Sequence, residues 1–196
     1  MALNFIRILQ LIFVTTCLGA GGCLASTWID TGPEFETLSD GMVSDRSIHS
    51  AEKFIGEILF HDDKAVTMAP SDYLARKALA PEARQKLLSY QTKRLVLARR
   101  LDMAFSEDQL LMTWLSQTYF GEGNYGLEAA AGNLFGKTLP TLSDEELVAI
   151  SALTISPSYF LNNPDVWQKK QDELVKAAHS QSRPLVPLHK RLSPQD

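Results

Sequence analysis

Apolar residues in this chain recur at helical spacing, with no convincing alternating run that would predict a strand. Over Ser47 to Leu59, the positions Ile48, Ala51, Ile55, Ile58 and Leu59 fall on one side of a repeat of about 3.6 residues, which predicts a helix. Pro70 breaks the polar run that follows. Ser71 or Asp72 can then cap a short helix reaching Leu79. Pro81 suits the first turn of a longer helix, with Leu87, Leu88, Leu95, Val96, Ala98 and Leu101 on its apolar stripe. Two capping boxes are legible. Ser106 with Gln109 opens "LLMTWLSQT", and Ser143 with Glu146 opens "LVAISALTI". Pro157 is expected to end that helix, and "NNPD" to start a last one from about Asp165 to His179. The polar, turn-rich stretch from Ser26 to Asp45 reads as loop or short helix. The predicted fold class is all-α.

The N-terminus follows a different logic. After Arg7, an apolar run from Ile8 to about Gly22 exits through the small residues "LGAGG" before Cys23, the layout of an export signal. It is short for a spanning helix, which needs roughly 20 apolar residues. "AGGC" also resembles a bacterial lipobox, with Ala20 where leucine is usual. A cleaved signal, a lipoprotein signal and a retained anchor stay open, and all three place the domain outside the cytoplasm. The expected organisation is therefore a signal or anchor over residues 1–25, one domain over 26–180, and a loose tail over 181–196.

Composition narrows the function classes. A chain of 196 residues with 45% hydrophobic and 21% charged residues can bury one core. A formal net charge of -4 supplies no basic surface for nucleic acid. Both cysteines, Cys17 and Cys23, lie in the N-terminal segment and cannot staple the domain. His49, His61, His179 and His189 are too scattered for a zinc site. No metal and no cofactor are expected.

The stretch "SEDQLLMTWLSQTYFGEGNYGLEAAAGNLFGK", Ser106 to Lys137, resembles the signature ILxxYLNxxYFGxGxYGIxxAAxxYFGK of the family 51 peptidoglycan glycosyltransferases. In register are Leu110, Leu111, Trp114, Leu115, Tyr119, Phe120, Gly121, Gly123, Tyr125, Gly126 and Leu127, then Ala129 to Ala131 and Phe135, Gly136 and Lys137. The likeness continues through "TLSDEELVAISALTISPSYFLNNPD", which is similar to the family's LTLxEAAxLAxxxxxPSxYxPxxNP. The chemistry of these residues is mostly structural: glycines for a sharp turn, aromatics for core and cleft wall, alanines for close helix packing. The resemblance implies a lysozyme-like helical domain of the family 51 type.

It also implies where the chemistry would sit. Such enzymes polymerise a lipid-linked disaccharide, using one carboxylate as general base on the attacking hydroxyl and a second acid in support of the cations that steady the departing diphosphate. The first acid belongs to an EDxxFxxHxG motif that this chain lacks; counting back from the matched regions places it at Glu34 or Glu36. Glu57, near Phe60 and His61, is a further candidate that sits too close to the later motifs. The second motif, similar to GxSTITQQLxKN, reads "TMAPSDYLARKAL". Ser71, Leu74, Ala75 and Arg76 stay in register, while Asp72 and Tyr73 replace both glutamines. Arg76, Arg84, Lys86 and Arg94 are the candidate diphosphate-binding cations. The third motif, RKxxE, falls on Tyr90, Gln91 and Arg94, so a guanidinium stands where the family has its second glutamate.

Three readings follow. The first is a scaffold-retaining protein that binds lipid-linked precursor or glycan strands with little catalysis. The second is a divergent monofunctional polymerase using Glu34 or Glu36, with Arg94 and Arg76 replacing a metal electrostatically. The third is a lysozyme-like hydrolase, for which no acid stands out. The implied partners are the lipid-linked precursor or glycan, a membrane surface and cell-wall synthesis proteins. The implied place is the periplasmic side of the inner membrane or the cell envelope. Phe54 and Phe60 are candidates for dipping into headgroups or for packing in the core.

Overall fold

The computed structural model describes residues 26–43, 48–60, 69–80 and 87–179; the expected export segment and the tail beyond residue 180 lie outside them. A helical turn over 26–30 leads into α1 (Gly32–Asp40), α2 (Ser50–Phe60), α3 (Pro70–Ala78), α4 (Leu87–Ala104) and α5 (Glu107–Gln117). After a glycine-rich turn come α6 (Leu127–Phe135), a 3-10 turn (Leu139–Thr141), α7 (Asp144–Leu153), α8 (Pro157–Asn162) and α9 (Pro164–His179). Among the described residues the sole β feature is an isolated bridge between Tyr119 and Tyr125. The all-α expectation holds.

Both predicted capping boxes form. The Ser106 hydroxyl accepts from the Gln109 amide while the Gln109 side chain reaches back, and Ser143 and Glu146 repeat the arrangement at α7. Each box satisfies amides that have no partner within their own helix. Two boundary expectations are corrected. Neither Ser71 nor Asp72 caps α3: Ala69 precedes it, and Pro70, with φ already helical, opens it. Pro157 does not end α7, which stops at Leu153; Pro157 instead opens α8.

The core has two lobes. In the larger one α7 is buried on all sides from Leu147 to Leu153, as a central helix must be, and α2, α6, α8 and α9 pack around it. Phe54, Ile55, Leu59, Phe120 and Leu174 fill the space between them. Phe54 is therefore core, and Phe60, half-buried, stands edge-on to Trp114 at 5.3 Å. In the smaller lobe Leu74, Ala75 and Leu79 of α3 meet Leu97, Ala98 and Leu101 of α4, with Phe35 and Leu38 of α1 alongside. Leu95 was expected on the buried stripe but is 61% exposed. The buried stripe of α4 runs instead through 97, 98 and 101, with Arg94 half-buried one turn earlier.

Helix α5 joins the lobes, giving Leu110 to the smaller and Leu111, Trp114 and Leu115 to the larger. It ends at the turn Gly121–Gly126, which the Phe120 amide closes onto the Asn124 carbonyl at 2.9 Å and the Gly126 amide onto the Thr118 carbonyl at 2.9 Å. Gly126 has φ +87°, and a Cβ there would lie 2.9 Å from the Ser116 carbonyl oxygen. Both the left-handed backbone and the close approach require glycine. Gly132, on an exposed face of α6, has open space around it. Gly126→Ala should therefore destabilise by about 2–3 kcal/mol. Gly132→Ala should be neutral or stabilise by up to about 1 kcal/mol in urea denaturation.

Candidate functional site

The site begins with how α1 is held. Arg100 on α4 stacks over Trp28 at 4.7 Å and Phe35 at 4.4 Å, and donates to the Trp28 carbonyl at 2.6 Å. Lys93 pairs with Asp30 at 2.8 Å. These contacts fix the approach to α1, so that Glu34, in its first turn, lines a cavity of about 350 Å³. Lys77, Gln117 and Thr37 line the same cavity, and the Lys77 ammonium donates to the Gln117 amide oxygen at 3.0 Å. One Glu34 carboxylate oxygen (Oε2) is buried without a hydrogen-bond partner. Glu36, two residues on, faces solvent. The two sequence candidates for a base are thus separated by the helix: the cavity receives Glu34 alone.

Helix α3 carries most of the remaining polar groups. Asp72 in its first turn faces Arg94 of α4, with Nη1 3.2 Å from Oδ2, and the two side chains are 22% and 17% exposed. Arg94 projects from the buried stripe, and its Nε has no partner. A cation there has to be neutralised locally, and Asp72 does so. Tyr73 stands edge-on to Trp114 at 6.3 Å; burial, and next the neighbouring Tyr125, push its phenol up from the ordinary value. Arg76 is exposed. Arg84 and Lys86 lie outside the described residues. Among the described residues no group of three or more His, Cys, Asp or Glu gathers to hold a metal ion.

The motif residues divide between core and surface. Phe120 is fully buried, Phe135 packs half-buried against the larger core, and Gly121, Gly123, Gly126 and Gly136 all have positive φ. Tyr119 and Tyr125 pair at 5.0 Å, with Tyr125 65% exposed. Lys137 reaches Glu146 of α7 through both carboxylate oxygens, at 2.7 and 2.9 Å. It ties the end of α6 to the cap of α7.

The family profile described as transglycosylase matches residues 72–179, over half of the 196-residue chain. The chain belongs to the transglycosylase family. It is similar to penicillin-binding protein 1F of Bacillus subtilis, 32% identical over 87 residues, which cover 43% of this chain and 12% of that protein. It is likewise similar to penicillin-binding protein 1A of Rickettsia typhi, 37% identical over 78 residues, 40% of this chain and 10% of that protein. With penicillin-binding protein 2D of Bacillus subtilis it shares 31% over 114 residues, 48% of this chain and 16% of that protein. The chain thus spans only a small part of the relatives' length. The transglycosylase match starts at Asp72, so α1 with Glu34 precedes the matched span.

Two site features escaped the sequence reading. Lys77 and Gln117 were not singled out, although both face Glu34 across the cavity. Asp72 was read as a lost glutamine and not as a partner. The available signal was its coupling to Arg94: an acid on one helix and a cation on the helix packed against it.

Two measurements follow. Arg94→Leu strands a half-buried carboxylate and should cost about 2 kcal/mol, between the exposed and buried limits for ion pairs. Arg94→Leu with Asp72→Asn should recover at least half of it in a urea-based double-mutant cycle. Second, the Glu146 carboxyl is held below its ordinary value by the Lys137 hydrogen bond first and the Ser143 amide next. A lowered carboxyl stabilises the fold above the unfolded value of about 4.3, and this contribution is lost as pH falls through the lowered folded value. Lys137→Met should move the Glu146 NMR titration upward and flatten that part of the acid limb.

Proposed function

We propose that this transglycosylase-family domain acts in the cell envelope, binding lipid-linked disaccharide or glycan strands during cell-wall biogenesis, with little or no turnover of its own. The Arg94–Asp72 ion pair carries this reading. Arg94 stands where the resembled motif has its second glutamate, and a guanidinium neither accepts a proton nor coordinates a metal. Asp72, its carboxylate partner among the described residues, is committed to neutralising it. Arg76, exposed on α3, is the cation in register to meet a diphosphate; Arg84 and Lys86 are proposed beside it on sequence position alone. The membrane side of the envelope is the matching location for such a substrate, and cell-wall synthesis proteins are the matching partners.

One observation favours the second reading, an active divergent polymerase. Glu34 presents a buried carboxylate oxygen without a partner in a cavity it shares with Lys77. A general base needs such a position, within reach of a sugar hydroxyl and partly shielded from water.

Incubating the purified full chain with lipid-linked disaccharide separates the two. The native protein should bind it and form no polymer, while Asp72→Gln with Arg94→Glu, which restores one glutamine and the second acid of the resembled motifs, should produce oligosaccharide above background. Polymer from the native chain, abolished by Glu34→Gln and untouched by Glu36→Gln, would overturn the binding reading in favour of the polymerase.

A further inference from the structure

A second groove, of about 530 Å³, opens at the far end of α4 from Arg94, between the start of α3, the start of α5 and one side of α2. Asp102 lies eight residues beyond Arg94, about 12 Å along the helix at 1.5 Å per residue. The groove is thus separate from the Glu34 cavity, with which it shares no lining residue. Its size falls in the range of about 300–1,000 Å³ usual for ligand sites.

The floor is apolar, formed by Phe60, Pro70, Leu110 and Leu111, with Gly56 leaving room above Leu111. The rim is acidic. Glu57, Asp102, Glu107 and Asp108 line it, with Lys53 the one cation among the described lining residues, 3.7 Å from Asp108. Glu107 and Asp108 are explained in part by the positive N-terminal end of α5. Asp102 is not. It occupies the last turn of α4, where the helix dipole disfavours a carboxylate, and α4 has no basic residue in that turn. Neither Asp102 nor Glu107 makes a side-chain hydrogen bond or ion pair among the described residues. Among the described residues Asp102 and Glu107 thus stand without a counter-charge beside an apolar floor. Such a rim repels phosphates, nucleic acid and anionic headgroups, and favours a cation that brings an apolar group with it.

We infer that this groove docks a segment of a partner polypeptide carrying Lys or Arg next to a large apolar side chain, which seats between Phe60, Pro70 and Leu111 while the cation meets Asp102 and Glu107. A free polyamine would satisfy the rim but leave the floor unfilled, which is why the occupant is a peptide.

The test is selection of a random twelve-residue peptide display library on the full chain, followed by fluorescence anisotropy with the recovered peptides. Enriched sequences should pair at least one Lys or Arg with Leu, Phe or Trp. Their affinity should fall at least tenfold with Asp102→Asn/Glu107→Gln. The same loss is expected with Ala69→Trp, which fills the groove at an exposed lining position without changing its charge. Replacing the peptide's apolar residue by Ser should weaken it equally, and spermine should not compete at equal concentration. The inference is overturned if no family of basic, apolar peptides is enriched. It is also overturned if Ala69→Trp leaves affinity unchanged, because binding would then need only diffuse charge. Circular dichroism of each variant separates lost binding from lost fold.

Discussion

A guanidinium on the inward stripe of a helix leaves the protein few choices. Arg94 emerges from α4 one turn before Leu97 and two before Leu101, both fully buried, so its charge cannot simply turn to solvent. Removing an ion from water costs several kcal/mol unless a partner of opposite charge sits in good geometry. Asp72 is that partner, and its position in the first turn of α3 adds a favourable helix dipole to the attraction of Arg94. The pair thus fixes how α3 lies on α4. The placement of Tyr73, Arg76 and Lys77 on the same helix follows from it. Whatever chemistry this face retains is arranged around a cation–carboxylate contact.

The larger lobe does not depend on that contact. Its stability rests on α7, sealed by four neighbouring helices, and on the glycine turn that lets the chain leave α5 and return along α6. The long matched stretch from Ser106 to Asp165 encodes these features: two caps, a run of left-handed glycines, alanines where α6 meets α7. None of them donates or accepts a proton in a reaction. A scaffold can consequently persist in full while acids elsewhere are exchanged, because the two are held by different contacts.

This division explains how much was legible in the sequence. The caps at Ser106 and Ser143 were readable because a capping box is local, set by residues three apart. The all-α class and the scaffold followed from periodicity and from glycines whose φ values leave no alternative. Leu95 was misplaced because periodicity gives a stripe only to within one neighbouring position. The buried side was decided by α3, whose packing no local pattern reports. Pro157 was read as a stop although proline is as much at home opening a helix, and only the end of α7 at Leu153 distinguishes the two. Asp72 pairing with Arg94 is a contact across 22 residues of sequence, and Glu34 sharing a cavity with Lys77 and Gln117 depends on three helices at once. Charge at one position says nothing about its partner until the helices are packed.

The placement of Glu34 has a cause that differs from that of the scaffold. Helix α1 contributes no fully buried residue of its own; Phe35 and Leu38 only lean on the smaller core. What holds it is largely Arg100 stacked between Trp28 and Phe35, together with Lys93 on Asp30. Cation–aromatic and exposed ionic contacts of this kind contribute about 0.5–2 kcal/mol each, far less than the sealed core around α7. Glu34 therefore sits on the least firmly attached helix facing its cavity, whereas Lys77 and Gln117 ride on helices anchored in the core. The geometry of any acid–base function is set at that weaker junction. A single carboxylate oxygen buried without a hydrogen-bond partner is tolerable there because α1 can give way locally, at little cost to the rest of the fold.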